Sequence, residues 1–307
     1  FVTRVLGART DDTDPTDIAD IEPRQKGTLI HAVFEVLITE WLAEHPDGDV
    51  PWIASEGDVA ATLHRAAAVV DRYAEQLLAA HQLGHPEMWR ARRAQILTAL
   101  ERGLHSELAD PVVPVAAEYA FGARRPLELL DPTEPTPAAV WQSPDGFEVR
   151  FTGAVDRVDR LADGSLRVMD LKSGRADPYK KITADAPLGP DEDKLQLAFY
   201  GWAVEQLMGE PVSAASYRFV GRPEPDPDIT LALTADVRTA LHERMHEIAT
   251  SIGAGVFEPG EVGTWGCEVC APDQLGAFEV NQRRLEWHAS LGELDGPLDD
   301  PPEGPDE

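Results

Sequence analysis

The stretch Phe151–Arg175 reads FTGAVDRVDRLADGSLRVMDLKSGR, and its fold turns on Leu161-Ala162-Asp163-Gly164 in the middle. Asp-Gly between two apolar-rich runs is a strong hairpin signal. If the loop is Ala162-Asp163-Gly164, with Gly164 in the left-handed position, Leu161 pairs with Ser165. Counting outward, Asp156 then lies directly opposite Asp170. Cross-strand partners point to one face, and the period of a strand adds Lys172 to it. A two-residue turn would instead send Asp156 to the face opposite Asp170, so the turn is a premise that coordinates can check.

Two adjacent carboxylates repel, and burying both is costly unless a cation neutralises them. A hard divalent metal does so. Mg²⁺ takes one or two carboxylates and completes its shell with water and phosphate oxygens. Lys172, two residues along from Asp170, can then help activate a metal-bound water and stabilise charge on a phosphate. The bland reading of the same residues is a surface hairpin whose Asp and Lys form a solvated pair.

Working outward, the chain upstream is helical. Leu29, Ile30, Val33, Phe34, Leu37, Ile38, Trp41 and Leu42 recur at three- and four-residue spacing from Gln25 onward. His31 and Glu35 form another stripe of that helix. Further helices are expected around Gly57–Ala80 and Glu87–Leu108, the latter ended by Asp110-Pro111. The period then changes. Strands are expected at Val112–Phe121, Glu148–Arg160, Ser165–Lys172 and Val212–Val220, and helices at Glu192–Met208 and Ala235–Ile252.

The expected fold class is α/β: a mixed central sheet flanked by helices, with an N-terminal helical layer. Residues 1–24 read as a linker. Residues 25–255 form the main domain, divided into a helical part at 25–110 and a sheet-containing core at 111–255. A Cys-x-x-Cys segment follows at 256–290, and an acidic, Pro-rich tail at 291–307 should be disordered.

With 307 residues and a formal charge of −28, the chain repels phosphate over most of its surface. Much of the excess lies in Asp11–Asp20, Asp131–Glu134, Asp185–Asp193, Glu224–Asp228 and Glu293–Glu307. No window offers the roughly 18 apolar residues of a membrane span, and no signal peptide is evident. Cys267 and Cys270 cannot make a disulfide framework, so a reducing cytoplasm is the expected setting. Because the first residue is Phe1, a piece of a longer polypeptide or a processed chain is expected.

Five short motifs then occur in a telling order: Gly27-Thr28-Leu29-Ile30-His31; Glu118 in AAEYAF; Gly153-Ala154-Val155-Asp156; Asp170-Leu171-Lys172-Ser173-Gly174; and Gln196-Leu197-Ala198-Phe199-Tyr200. From Gly27 to Val220 the chain thereby resembles the PD-(D/E)XK nuclease superfamily, specifically the RecB-like branch of AddB- and AdnB-type helicase–nuclease subunits and Cas4-like proteins. The resemblance implies a restriction-endonuclease-like fold. It assigns His31, Asp156, Asp170 and the main-chain carbonyl of Leu171 to a Mg²⁺ or Mn²⁺ ion, and makes Lys172 the catalytic lysine. Gln196 and Tyr200 would line the cleft, and Glu118 would support the site. An imidazole in the shell suits Mn²⁺ better than Mg²⁺.

The implied reaction is hydrolysis of a DNA phosphodiester. The implied context is DNA end processing in recombinational repair, with helicase motor domains in the same polypeptide or a partner subunit. Many relatives in this branch carry a four-cysteine iron–sulfur cluster. Here only Cys267 and Cys270 are present, so no complete cluster is expected.

Two readings compete. A catalytically silent nuclease fold could serve as a scaffold for DNA or subunit binding. His242-Glu243-Arg244-Met245-His246 spells the HExxH pattern of zinc proteases, but no third ligand follows at a helical position. The chain contains no GxxxxGK[ST] phosphate loop, so ATP hydrolysis is not expected in this segment.

Overall fold

The computed structural model describes residues 20–256, apart from 47, 49, 81, 123–136, 147, 223 and 225. The first 19 residues, Cys267, Cys270 and the acidic tail therefore lie outside the described residues. Thr13–Glu247 form one compact unit; a second, Phe1–Asp12 with Ile248–Glu307, is described only over 248–256.

Three helices open the first of these units: α1 (Pro23–Glu44), α2 (Glu56–Ala79) and α3 (Pro86–Ala109). Each starts where local chemistry favours it. Pro23 follows a capping box between Glu22 and Gln25. Ser55 caps α2 through the amide of Asp58, and Pro86 begins α3. The apolar stripe of α1 is buried from Leu29 to Trp41 and packs with residues of α2 and α3, such as Val70 and Leu100. Ala117, Met169, Leu171 and Val220 complete that core, so the helical layer covers one face of the sheet.

The main sheet contains β1 (Val113–Phe121), β4 (Gly153–Arg160), β5 (Leu166–Lys172), β6 (Val212–Phe219) and β7 (Ile229–Ala232), in the order β1-β4-β5-β6-β7. All pairs are antiparallel except β5–β6, which is parallel. The crossover between these two carries a short 3₁₀ turn, Asp177–Tyr179, and α4 (Gln196–Met208). The helix α5 (Ala235–Gly253) follows β7. The result is a mixed, restriction-endonuclease-like sheet flanked by helices.

Two sequence expectations need correction, and two short strands were not anticipated. Glu148–Arg160 is not one strand. Its first part, β3 (Glu148–Phe151), pairs with β2 (Ala139–Gln142) in a separate two-stranded sheet. The break falls at Thr152, and Gly153 starts β4 where a β-carbon would come within 2.7 Å of the Phe121 ring. The helix expected from Glu192 begins only at Gln196. Glu192 has φ 51°, a left-handed conformation that no α-helix accepts. Finally, β2 and β7 lack a long enough alternating run to be read in advance.

Candidate active site

The turn that sets the register is built from its own side chains. Gly164 has φ 86°, and its amide donates to Leu161 O at 2.9 Å. Asp163 Oδ1 accepts from the amide and hydroxyl of Ser165 at 2.9 and 2.6 Å. Leu161 N donates to Ser165 O. Arg160↔Leu166 through Arg157↔Met169 then pair in order, which leaves Asp156 facing Asp170 at the next step.

The row continues on both sides. Ala117↔Arg157 and Tyr119↔Val155 place Glu118 of β1 opposite Asp156, and Asp170 pairs with Tyr217 of β6. Glu118, Asp156, Asp170 and Tyr217 thus form a polar row across four adjacent strands.

His31 joins this row from α1, its Nδ1 lying 3.2 Å from Asp156 Oδ1. The Gly-x-x-x-His spacing has a physical cause. A β-carbon on Gly27 would lie 2.9 Å from Ser173 Oγ, just beyond β5. Glycine therefore lets the start of α1 approach the end of the β4–β5 hairpin, and one helical turn later His31 reaches Asp156. The backbone of Gly221 presses on Ser173 from the other side, and Lys26 Nζ donates to Gly221 O at 2.7 Å.

Donor atoms of His31, Glu118 and Asp156 lie within 4.8 Å of one another, the one such set of three found among the described residues. Asp170 is not one of that set and is engaged elsewhere. Its Oδ2 is 2.6 Å from Lys172 Nζ, and its Oδ1 accepts from Gln196 Nε2 at 2.8 Å. Leu171 meets Asp156 through its amide, which donates to Oδ2 at 2.6 Å.

Gln196 ties the Lys172 side together. Its Oε1 accepts from Lys172 Nζ and from Tyr217 Oη, each at 3.0 Å. Nε2 serves Asp170 and, at 3.3 Å, Tyr200 Oη. Two donors on one side and a carboxylate on the other fix the orientation of the amide. The ammonium of Lys172 also lies 4.8 Å from the Tyr217 ring centre and 5.5 Å from that of Tyr179. Tyr179 and Tyr217 were missed in the sequence. A local pattern does not reveal which residue of β6 falls beside Asp170, since that depends on a parallel pairing across a long crossover.

The electrostatics are those of a site short of positive charge. Burial pushes the Asp170 carboxyl up to about 6, helped by the charge of Asp156 and only partly opposed by Lys172 and His31. Burial opposes charging of His31, but its hydrogen bond to Asp156 and the charges of Asp156, Asp170 and Glu118 outweigh this and raise its pKa. Burial likewise raises the phenol of Tyr200. An imidazole and two carboxylates in mutual reach match the donor chemistry of Mn²⁺ or Mg²⁺.

The HExxH histidines are placed differently. His242 Nδ1 accepts the indole proton of Trp141 at 2.8 Å, and His246 lies 3.6 Å from Asp145. Among the described residues no third donor forms a metal-binding group with them.

A mixed sheet with paired carboxylates and a lysine on neighbouring strands, joined by an imidazole from a helix, is the architecture of a metal-assisted nuclease. The chain belongs to the PD-(D/E)XK nuclease superfamily, whose family model matches residues 1–274. Nucleases of this superfamily generally use divalent metals such as Mg²⁺, and the donor set at His31, Glu118 and Asp156 suits one. No curated protein matches the chain. No helix among the described residues is long and apolar enough to cross a membrane.

Proposed function

We propose that the chain is a Mg²⁺- or Mn²⁺-dependent deoxyribonuclease of the RecB-like branch, working with helicase motor domains at DNA ends in recombinational repair. The observation that carries the reading is the row Glu118–Asp156–Asp170, met by His31 at one end and by Lys172 at the other.

In this reading His31, Asp156 and Glu118 hold the ion, with Asp170 and the Leu171 carbonyl on its other side. When bound, a divalent ion neutralises the carboxylates, lowers the pKa of coordinated water and polarises a phosphoryl oxygen. Lys172 presents a fixed ammonium to the charge that develops on the phosphate. Asp170, Gln196 and the Tyr179 and Tyr217 rings hold it in place, so little reorganisation is needed during reaction. Gln196 couples the lysine to Asp170, and Tyr200 supports Gln196.

The test is incubation with Mn²⁺ and end-labelled single- and double-stranded DNA, beside Asp170→Ala. Metal-dependent cleavage by the natural chain and its loss in the variant are expected. A stable but uncleaved complex, indifferent to metal, would mean a nuclease-fold scaffold instead.

A further inference from the structure

The proposed nuclease must hold a polyanion although its own charge is −28. Three chain segments meet just beyond Lys172. Gly27 and Gly221 both close on Ser173, and Lys26 is bonded to the Gly221 carbonyl. Each segment brings a cation: Lys26 from α1, Arg175 after β5 and Arg222 after β6.

These charges act on one another. Lys26 is half-buried, and its ammonium is held below its ordinary pKa by burial and by the charges of Arg92 and Arg222. Asp177 feels both Arg175 and Arg222. Two carboxylates lie among them. Asp177 pairs with Lys180 at 2.6 Å. Asp226 accepts from the Ala176 amide at 2.9 Å and stands 3.8 Å from Arg222. Arg175 is exposed.

Gly174 sits between Lys172 and Arg175 without a conformational or packing reason to be glycine. Its φ lies outside the left-handed range, a β-carbon there would meet nothing within 4 Å, and the residue is exposed. The missing side chain leaves the backbone here open to close approach by a ligand.

We infer that Lys26, Arg175 and Arg222, with the open backbone at Gly174, form a cationic shelf that binds a phosphodiester of the substrate strand next to the one being cut. The inference rests on the nuclease reading for its choice of ligand. The shelf confines the attraction for DNA to the lip of the site, while the acidic remainder of the surface repels it.

The experiment measures binding of fluorescently labelled single-stranded DNA in EDTA between 50 and 200 mM salt, so that no cleavage intervenes. Arg175→Glu/Arg222→Glu is compared with the natural chain. Arg65→Glu, set beside the single variants Arg175→Glu and Arg222→Glu, controls for one charge reversal: Arg65 faces Glu44 at the far end of α1, roughly 27 Å from Lys26 at about 1.5 Å per residue.

The double variant is expected to bind at least about tenfold more weakly, with the salt slope reduced by about one for each lost phosphate contact. Arg65→Glu should change little. In cleavage assays KM should rise and kcat should hold. Gly174→Ala, whose methyl meets no protein atom, should lose affinity several-fold at unchanged melting temperature, and full affinity in that variant would overturn the backbone contact. Equal binding by the double variant and the natural chain, or no measurable binding by either, overturns the shelf. If cleavage proves insensitive to Asp170→Ala while the shelf variants still lose DNA, the nuclease reading fails and the shelf stands.

Discussion

Glu118 stands opposite Asp156 across the β1–β4 pair with φ 43°, a left-handed backbone inside a strand. A non-glycine residue pays roughly 1–2 kcal/mol for that conformation, yet here it brings a carboxylate into reach of His31 and Asp156. Strain of this kind persists where surrounding structure enforces it, and it clusters at functional sites.

Replacing Glu118 by glycine should separate strain from function. Glu118→Gly is expected to melt, without metal, at or above the temperature of the natural chain. Its Mn²⁺ affinity should fall about tenfold or more, in the range seen when supports of metal sites are removed. Glu118→Gln should lose affinity with no gain in stability. Calorimetric titration and thermal melts give both numbers, and undiminished Mn²⁺ affinity in both variants would remove Glu118 from the site.

The pH dependence of stability follows from Asp170. Its folded pKa, near 6, lies above the unfolded value of 3.8. The native state therefore holds more protons between those values, and this group's contribution to stability is lost as pH rises from about 4 to about 6. Asp170→Asn should remove that loss, so in EDTA it should gain stability relative to the natural chain between pH 5 and pH 7. Added Mn²⁺ should stabilise the natural chain more at pH 7 than at pH 5. Melting curves at the two pH values check both, and parallel behaviour of the two proteins would contradict the burial of this charge.

The two glycines that close on Ser173 should respond unequally. A β-carbon on Gly27 meets the hydroxyl of Ser173, which can rotate away. Alanine also favours the helix by roughly 1 kcal/mol. Gly27→Ala should therefore stay within about 1 kcal/mol of the natural chain. On Gly221 the same atom would overlap the Ser173 carbonyl and backbone, so Gly221→Ala should cost several times more and reduce cleavage as well. Denaturant unfolding of the two variants makes the comparison.

Behind the site, on the opposite face of β4 and β6, Arg157 and Arg218 share Glu107 of α3 in full burial. Burial would raise the Glu107 carboxyl, but the two guanidinium groups override it and hold the pKa at about 2. Its contribution to stability is thus present above about pH 4.5 and is lost as pH falls toward 2. Arg157 also pairs with buried Asp159, whose carboxyl is raised by burial and by the nearby charge of Glu107 despite Arg157. Glu107→Ala should cost about 3–5 kcal/mol, because it leaves buried cations short of a partner. Glu107→Gln should show a shallower loss of stability on acidification, measured by urea unfolding at pH 3 and pH 7.

How far the sequence revealed this arrangement depended on whether a signal was local. Asp163 and Gly164 dictate their own turn, so the opposition of Asp156 and Asp170 could be counted from the sequence. His31, Gln196 and Tyr200 were legible through motif order, and the structure brings them to the same place. The break at Thr152 was not legible, because Glu148–Phe151 and Gly153–Arg160 alternate alike and differ only in which distant strand they join. Tyr217 and Tyr179 were hidden for the same reason. The resemblance ranks Glu118 as a supporting residue, and the left-handed backbone that brings its carboxylate within reach of His31 and Asp156 leaves no trace in composition.

The central claim is spatial: one divalent ion seats among His31, Glu118 and Asp156, against the Asp170–Lys172 pair. Anomalous diffraction from crystals soaked in Mn²⁺ tests it most directly. The account predicts a peak within bonding distance of the His31 imidazole and the Asp156 carboxylate, abolished by His31→Ala/Asp156→Ala. An ordered site with no peak there, or Mn²⁺ bound only elsewhere, would contradict it.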